Sequence, residues 1–266
     1  MPYANNNGVK IYYEVEGEGP PLVLGHGMIF NGKDWYICGY VAELKKDYRL
    51  IVLDARGHGQ SDKPDEMGAY DYKTMAEDVI VIMNDLNMDK VHYFGYSMGA
   101  YIGFHGFARN YSSRLHSLIL GGFSVYSDEA IIQSLQNGLP ISQSAIVKGM
   151  QVYIPLIEQK GGTTNEADLQ NYLSSVNPRA MYNILKHIAD SFNDIVADEM
   201  LPKINLPCLT FSGEDDIYPN ALKKTASKMP NAKFISFSGL NHMTAFARSD
   251  KVLPPVREFL AQVSKK

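Results

Sequence analysis

Six short apolar runs recur along this chain of 266 residues: Leu22–Leu24, Leu50–Leu53, Val91–Phe94, Leu118–Leu120, Leu209–Phe211 and Phe234–Phe237. Each is too short for a buried helix and too continuous for a strand with one wet face. That pattern suits central strands of a parallel sheet covered on both faces. Helical patterns fall between the runs. Thr74–Leu86 carries Met75, Val79, Ile82, Met83 and Leu86 at three- and four-residue spacing. Ser97–Arg109 is small and apolar on most sides, and Ala221–Met229 and Pro254–Val263 are amphipathic. Ahead of them Val9–Glu16 alternates in the manner of a strand and ends in the turn run Gly17–Pro20. The alternation predicts an α/β fold, doubly wound around a mostly parallel sheet with right-handed crossovers.

One stretch interrupts it. From Ser124 to Met200 no strand pattern is visible, and several helices are expected instead. Asn177-Pro178 reads as an N-cap and first helical residue, followed by Met181, Leu185, Ile188 and Phe192 on one side. Gly161-Gly162 reads as a break between helices. The expected organisation is a core of residues 1–123 and 201–266 with a helical cap, 124–200, inserted into it.

Composition removes several function classes. The net charge of −4 and the absence of a basic stripe argue against a nucleic-acid partner. Two cysteines, Cys38 and Cys208, are too few for a disulfide framework or a zinc site. The first residues are polar, without the apolar stretch of a signal peptide. No apolar run approaches the roughly 18 residues that span a bilayer, so no membrane partner is expected. The expectation is a soluble, cytoplasmic protein. A homodimer stays open beside a monomer.

The chemistry gathers at the ends of the runs. Gly95-Tyr96-Ser97-Met98-Gly99 follows one strand and opens a small-residue helix. A serine on such a strand-to-helix turn presents its hydroxyl clear of the sheet, and glycines keep the helix and strand from clashing. The backbone N–H of Met98, at the helix N-terminus, faces a developing oxyanion. Gly25-His26-Gly27-Met28 follows the first central run, where a His-Gly turn can aim the Met28 N–H at the same place. The His26 side chain is read as holding that turn. A serine nucleophile needs a base and an acid to orient the base. Of seven histidines, His242 alone follows the last strand run and a turn, at the carboxyl edge of the sheet where open α/β folds place their sites. The acid falls within Glu214-Asp215-Asp216, after the Leu209–Phe211 run, with Asp215 and Asp216 both open.

Taken together, His26-Gly27, Asp54–Asp62, the serine turn, the Gly213 loop and the His242 turn resemble the α/β-hydrolase fold family over about Val9–Val263. The resemblance implies a Ser97, His242 and acid triad. Its G-x-x-D spacing selects Asp216, with Asp215 as the alternative. It implies oxyanion-hole N–H groups from Met28 and Met98, and gives Arg56, His58 and Ser61 a loop-fixing role. It requires no cofactor and no metal. Relatives with aspartate or cysteine at the turn are set aside by Ser97, and hydroxynitrile lyases by Met243, where they carry lysine.

What remains is acyl transfer to water on a small, moderately apolar ester or lactone. A carbon–carbon bond hydrolase or a perhydrolase on the same residues is the alternative, as is a small-molecule receptor with a vestigial triad. Ile131, Ile132, Leu135, Met150, Tyr153, Ile154 and Leu156 are candidates for lining the acyl pocket or for packing the cap onto the core. The Met28 and Met98 side chains are candidates for its wall.

Overall fold

The structure is a computed structural model that describes residues 3–155, 169, 173–192 and 194–264. Eight strands form one sheet: β1 (Tyr3–Asn6), β2 (Val9–Glu16), β3 (Pro21–Gly25), β4 (Arg49–Leu53), β5 (Val91–Tyr96), β6 (Leu115–Gly121), β7 (Cys208–Gly213) and β8 (Ala232–Phe237). Their spatial order is β1-β2-β4-β3-β5-β6-β7-β8. β1–β2 and β2–β4 pair antiparallel, and every other neighbour pair is parallel. Each apolar run is a strand, and all but the edge strand β8, whose residues are intermediate or exposed, are buried on both faces. Val23, Ile51, Tyr93 and Leu118 point into the core on one side, while Leu22, Leu24, Leu50, Phe94 and Ile119 point into the core on the other.

Three features differ from the sequence reading. β1 was not expected; it is joined to β2 by Asn7-Gly8, both with positive φ (52° and 92°), a hairpin turn that Asn-Gly forms readily. Short helices at Gly32–Ile37, Tyr40–Leu44 and His242–Ala247 also went unread, being too short to show periodicity. The segment read as one helix from Ser97 makes a single α-turn, Met98–Tyr101, and then widens to a π-helix over Ile102–Ala108. All seven residues of that stretch are buried. The wider turn spreads their bulky side chains around a helix with no solvent face.

Within 124–200, helices run over Glu129–Lys148, Pro178–Asp190 and Asp194–Met200, with a short 3₁₀ turn at Met150–Tyr153. The Asn177 side chain caps Pro178–Asp190 by accepting the N–H groups of Arg179 and Ala180. Met181, Ile184, Leu185 and Ile188 are buried on that helix. Gly161-Gly162 and Leu156 lie outside the described residues. Ile131 packs into the main core, Met150 and Tyr153 into a separate cap-side cluster, and Ile132 is 45% exposed.

The site position follows from strand order. From β3 the chain goes to β4 on one side, then crosses to β5 on the other. The loops leaving β3 and β5 thus diverge, opening a crevice at their carboxyl ends. Gly25 and Gly95 are register partners there. A Cβ on Gly99 would overlap the Gly25 carbonyl, and one on Gly95 would overlap the Gly99 carbonyl. Since backbone blocks both positions, Gly99→Ala is expected to destabilise the protein by about 3 kcal/mol, measured as a lowered denaturant midpoint. A midpoint like that of the parent would show that the crossing has slack.

Candidate active site

Ser97 sits between β5 and the Met98–Tyr101 turn at φ 52°, ψ −115°. Asn7 and Asn87 are the other non-glycine residues with positive φ among those described, and asparagine tolerates that region far better than serine. The strained turn is held from several sides. Ser97 N–H donates to Gly121 O (2.8 Å), and Gly99 N–H donates to His26 O (3.0 Å). The strain thus coincides with the hydroxyl that faces His242, as often happens where geometry is over-determined.

The Ser97 Oγ lies 3.0 Å from His242 Nε2, and His242 Nδ1 lies 2.9 Å from Asp216 Oδ2. The other Asp216 oxygen accepts the Ile217 N–H at 2.7 Å. The Asp216 side chain is 2% exposed and that of His242 22%. A carboxylate accepts only, so Nδ1 carries the proton and Nε2 is free to accept the serine proton. His242 is the first residue of its helix. A reciprocal cap holds it there: Asn241 accepts Thr244 N–H, while the Thr244 hydroxyl accepts Asn241 N–H. Tyr96 donates its hydroxyl to the His242 carbonyl (2.5 Å). The imidazole also lies against the rings of Tyr96 and Tyr218, with centroids 5.3 and 5.5 Å away.

Asp215, the alternative acid, is exposed, and its backbone N–H donates to Leu240 O. The structure therefore brings Ser97, His242 and Asp216 together and leaves Asp215 outside. Sequence reading also passed over Gly122. At φ 60°, a Cβ there would stand 2.8 Å from His242 Cε1. The Gly121-Gly122 pair at the end of β6 was the available signal.

The backbone N–H groups of Met28 and Met98 are the oxyanion-hole candidates, and neither donates to another group among the described residues. What aims the first is legible in its own peptide unit. His26 Nε2 accepts the Ala55 N–H at 2.9 Å, so the ring proton is on Nδ1, which donates to Gly27 O at 2.8 Å. Phe30 N–H donates to the same carbonyl. Gly27 C=O and Met28 N–H belong to one trans peptide and point in opposite directions. Anchoring the carbonyl turns the N–H the other way. Burial pushes His26 down to about 4, which keeps it neutral and preserves this tautomer. The Met98 side chain is fully buried in the core, so it forms no pocket wall. Met28 is half-buried, between the main core and the cap-side cluster.

The Asp54–Asp62 stretch forms a braced loop. Arg56 pairs with the buried Asp78 (2.6 Å), Ser61 donates to Asp54 O, and His58 Nε2 lies 2.6 Å from Met28 O. Burial pushes His58 and His105 down to about 3 and His92 to about 4. It pushes the Cys38 thiol up to about 11 and the Cys208 thiol to about 12, so neither is a thiolate at neutral pH. Among the described residues no three His, Cys, Asp or Glu side chains converge as metal ligands would, and no helix is long and apolar enough to cross a membrane.

The strand order and the serine turn after β5 define the α/β-hydrolase class. A profile of the alpha/beta hydrolase fold matches residues 20–137. A non-heme chloroperoxidase of Kitasatospora aureofaciens is 28% identical over 260 residues, covering 92% of this chain and 93% of that protein. A thermophilic esterase from Thermogutta terrifontis matches with a TM-score of 0.80 at 24% identity, over 99% of this chain and 97% of the other. The enol-lactonase from Burkholderia xenovorans LB400 matches with a TM-score of 0.73 at 22% identity, over 98% and 100%. The chain is an enzyme with the α/β-hydrolase fold, whose family profile it matches over residues 20–137.

Proposed function

We propose that the protein hydrolyses small, moderately apolar carboxylic esters or lactones through an acyl-enzyme on Ser97. The observation that carries this reading is the unbroken line from Ser97 Oγ through His242 to Asp216, beside two unengaged backbone N–H groups. His242 takes the Ser97 proton as Oγ attacks the carbonyl carbon. The Met28 and Met98 N–H groups hold the resulting oxyanion. Asp216 keeps the imidazole in the accepting tautomer and stabilises its protonated form. The imidazolium then protonates the departing alkoxide. Water, deprotonated by the same nitrogen, releases the acid and restores Ser97.

The segment 124–200, read as a cap over a core of 1–123 and 201–266, supplies the apolar side of the substrate cleft. Leu135 and Ile154, both partly buried, are its candidates for contact with the acyl group. The test is labelling with a fluorophosphonate, together with a panel of esters, lactones and thioesters of graded acyl length. The expected result is a label on Ser97 and turnover of short esters or lactones. A folded protein that takes no label, yet is stabilised by a small molecule, would instead be a receptor on this fold.

The relative named as a chloroperoxidase favours a second reading. Hydrogen peroxide in place of water would turn the same acyl-serine into a peracid and free Ser97, and a peracid oxidises halide. Acetate with peroxide and bromide distinguishes the two.

A further inference from the structure

The oxyanion loop is held from beneath by a residue outside the relay. His58 is fully buried, with its ring edge-on to His26 at 5.1 Å. Its Nε2 lies 2.6 Å from Met28 O and its Nδ1 3.0 Å from Arg56 O. Burial, reinforced by the neighbouring His26, pushes the ring down to about 3, so it is neutral and carries one proton. Two carbonyls face it, and the proton belongs on the shorter contact. Nε2–H therefore donates to Met28 O. This bond fixes the peptide that follows Met28, while His26 fixes the peptide that precedes it. Met28 is thus clamped on both sides: His26 holds the peptide that carries its N–H, and His58 holds the next peptide, which limits rotation about Met28.

The same loop carries the cap. His58 and Val176 form a β-bridge. Gly59 N–H donates to Ser175 O at 2.6 Å, and Asn177 N–H donates to Gly57 O at 3.0 Å. The Ser175 hydroxyl reaches Ile29 O at 3.5 Å, and Met28 and Ile29 pack against the cap-side cluster of Val176, Met181 and Tyr153. The backbone of residues 57–59 is therefore sandwiched between the segment entering the Pro178–Asp190 helix and the oxyanion loop.

We propose that His58 is a positioning residue for the Ser97 reaction, donating to the Met28 carbonyl so that the Met28 N–H meets the oxyanion, and referencing that donor to the cap segment Ser175–Asn177. The inference rests on the hydrolase reading above. It is selective for the transition state. A ground-state carbonyl needs little from the Met28 N–H, whereas a tetrahedral oxyanion needs it within hydrogen-bond distance.

The experiment compares His58→Leu, which fills the space without a donor, with His58→Gln, whose side-chain amide N–H can reach Met28 O. Each is measured with p-nitrophenyl acetate and with phenylboronic acid, which forms a tetrahedral adduct on serine. In His58→Leu, kcat is expected to fall 10–100-fold and boronate binding to weaken by a similar factor, with KM moving less than threefold. His58→Gln is expected to recover most of both losses. If His58→Leu does not fold, His58→Asn, whose shorter amide falls short of Met28 O, replaces it with the same expectation. Unchanged boronate binding, or a rise in KM that accounts for the whole loss, would overturn the proposal. Failure of the underlying reading shows differently: the parent protein itself would bind no boronate, or Ser97→Ala would bind it equally well.

Discussion

Ser97→Ala is expected to lower kcat on any ester the protein turns over by about 10⁴–10⁶-fold. The substitution removes the one atom that bonds to the acyl group, while the oxyanion donors and the cleft stay in place. Those leave a small residual rate over water. Stability should barely move. The Ser97 backbone bonds to Gly121 and the turn bonds of Gly99 and Tyr101 do not involve the hydroxyl, and its described partner is His242 alone. Alanine and serine also pay similar strain at φ 52°, since each places one Cβ there. The measurement pairs kcat on a short ester with a denaturant midpoint. A residual rate above one-tenth of the parent, with the midpoint intact, would remove Ser97 from the chemistry.

Asp216→Asn should cost about 10⁴-fold in kcat, and Asp215→Asn less than threefold. The geometry says why one added N–H does so much. Asp216 accepts twice, from Ile217 N–H and from His242 Nδ1. In asparagine the one remaining oxygen stays on the Ile217 N–H, which leaves the NH₂ facing the imidazole. Nδ1 must then accept, the ring proton moves to Nε2, and Nε2 can no longer take the proton of Ser97. Asp215 is exposed and contributes a backbone N–H to Leu240 O, which its amide would leave untouched. Comparing the two variants on one ester decides the matter, and the reverse order of damage would move the acid to Asp215.

These two carboxylates show where sequence reasoning reaches its end. In a run of three acids, spacing from a glycine favours one, but nothing local states which side chain turns inward. Here the Gly213 turn backs onto the Leu240 carbonyl so closely that a Cβ would overlap it. That contact orients the loop and sends Asp216 beneath His242. The histidine was legible because it follows a strand at the sheet's carboxyl edge. The aromatic rings and the Tyr96 hydrogen bond that hold it come from residues far apart in the chain, and no periodicity marks them.

The central strands were legible because burial on both faces leaves a continuous apolar run, a signature few other elements share. The Pro178 helix was legible from its cap and its spacing. β1 was passed over, although Asn7-Gly8 is a strong hairpin signal, because its buried face is made of the small Ala4 and the polar Asn6, which leave no apolar alternation. The widening of the helix after Ser97 had no local mark, since α- and π-turns accept the same apolar residues.

By itself, then, the sequence determined the sheet, the serine turn and the place of His242 after the last strand, because strand burial and tight turns leave local patterns. The tertiary structure alone decided that Asp216 is the inward acid, that Met98 lies in the core, and that two neutral buried histidines clamp the Met28 peptide. Those outcomes depend on hydrogen bonds between segments up to 146 residues apart, such as Tyr96 to the His242 carbonyl. Direction at that range is set by packing, which no local spacing encodes.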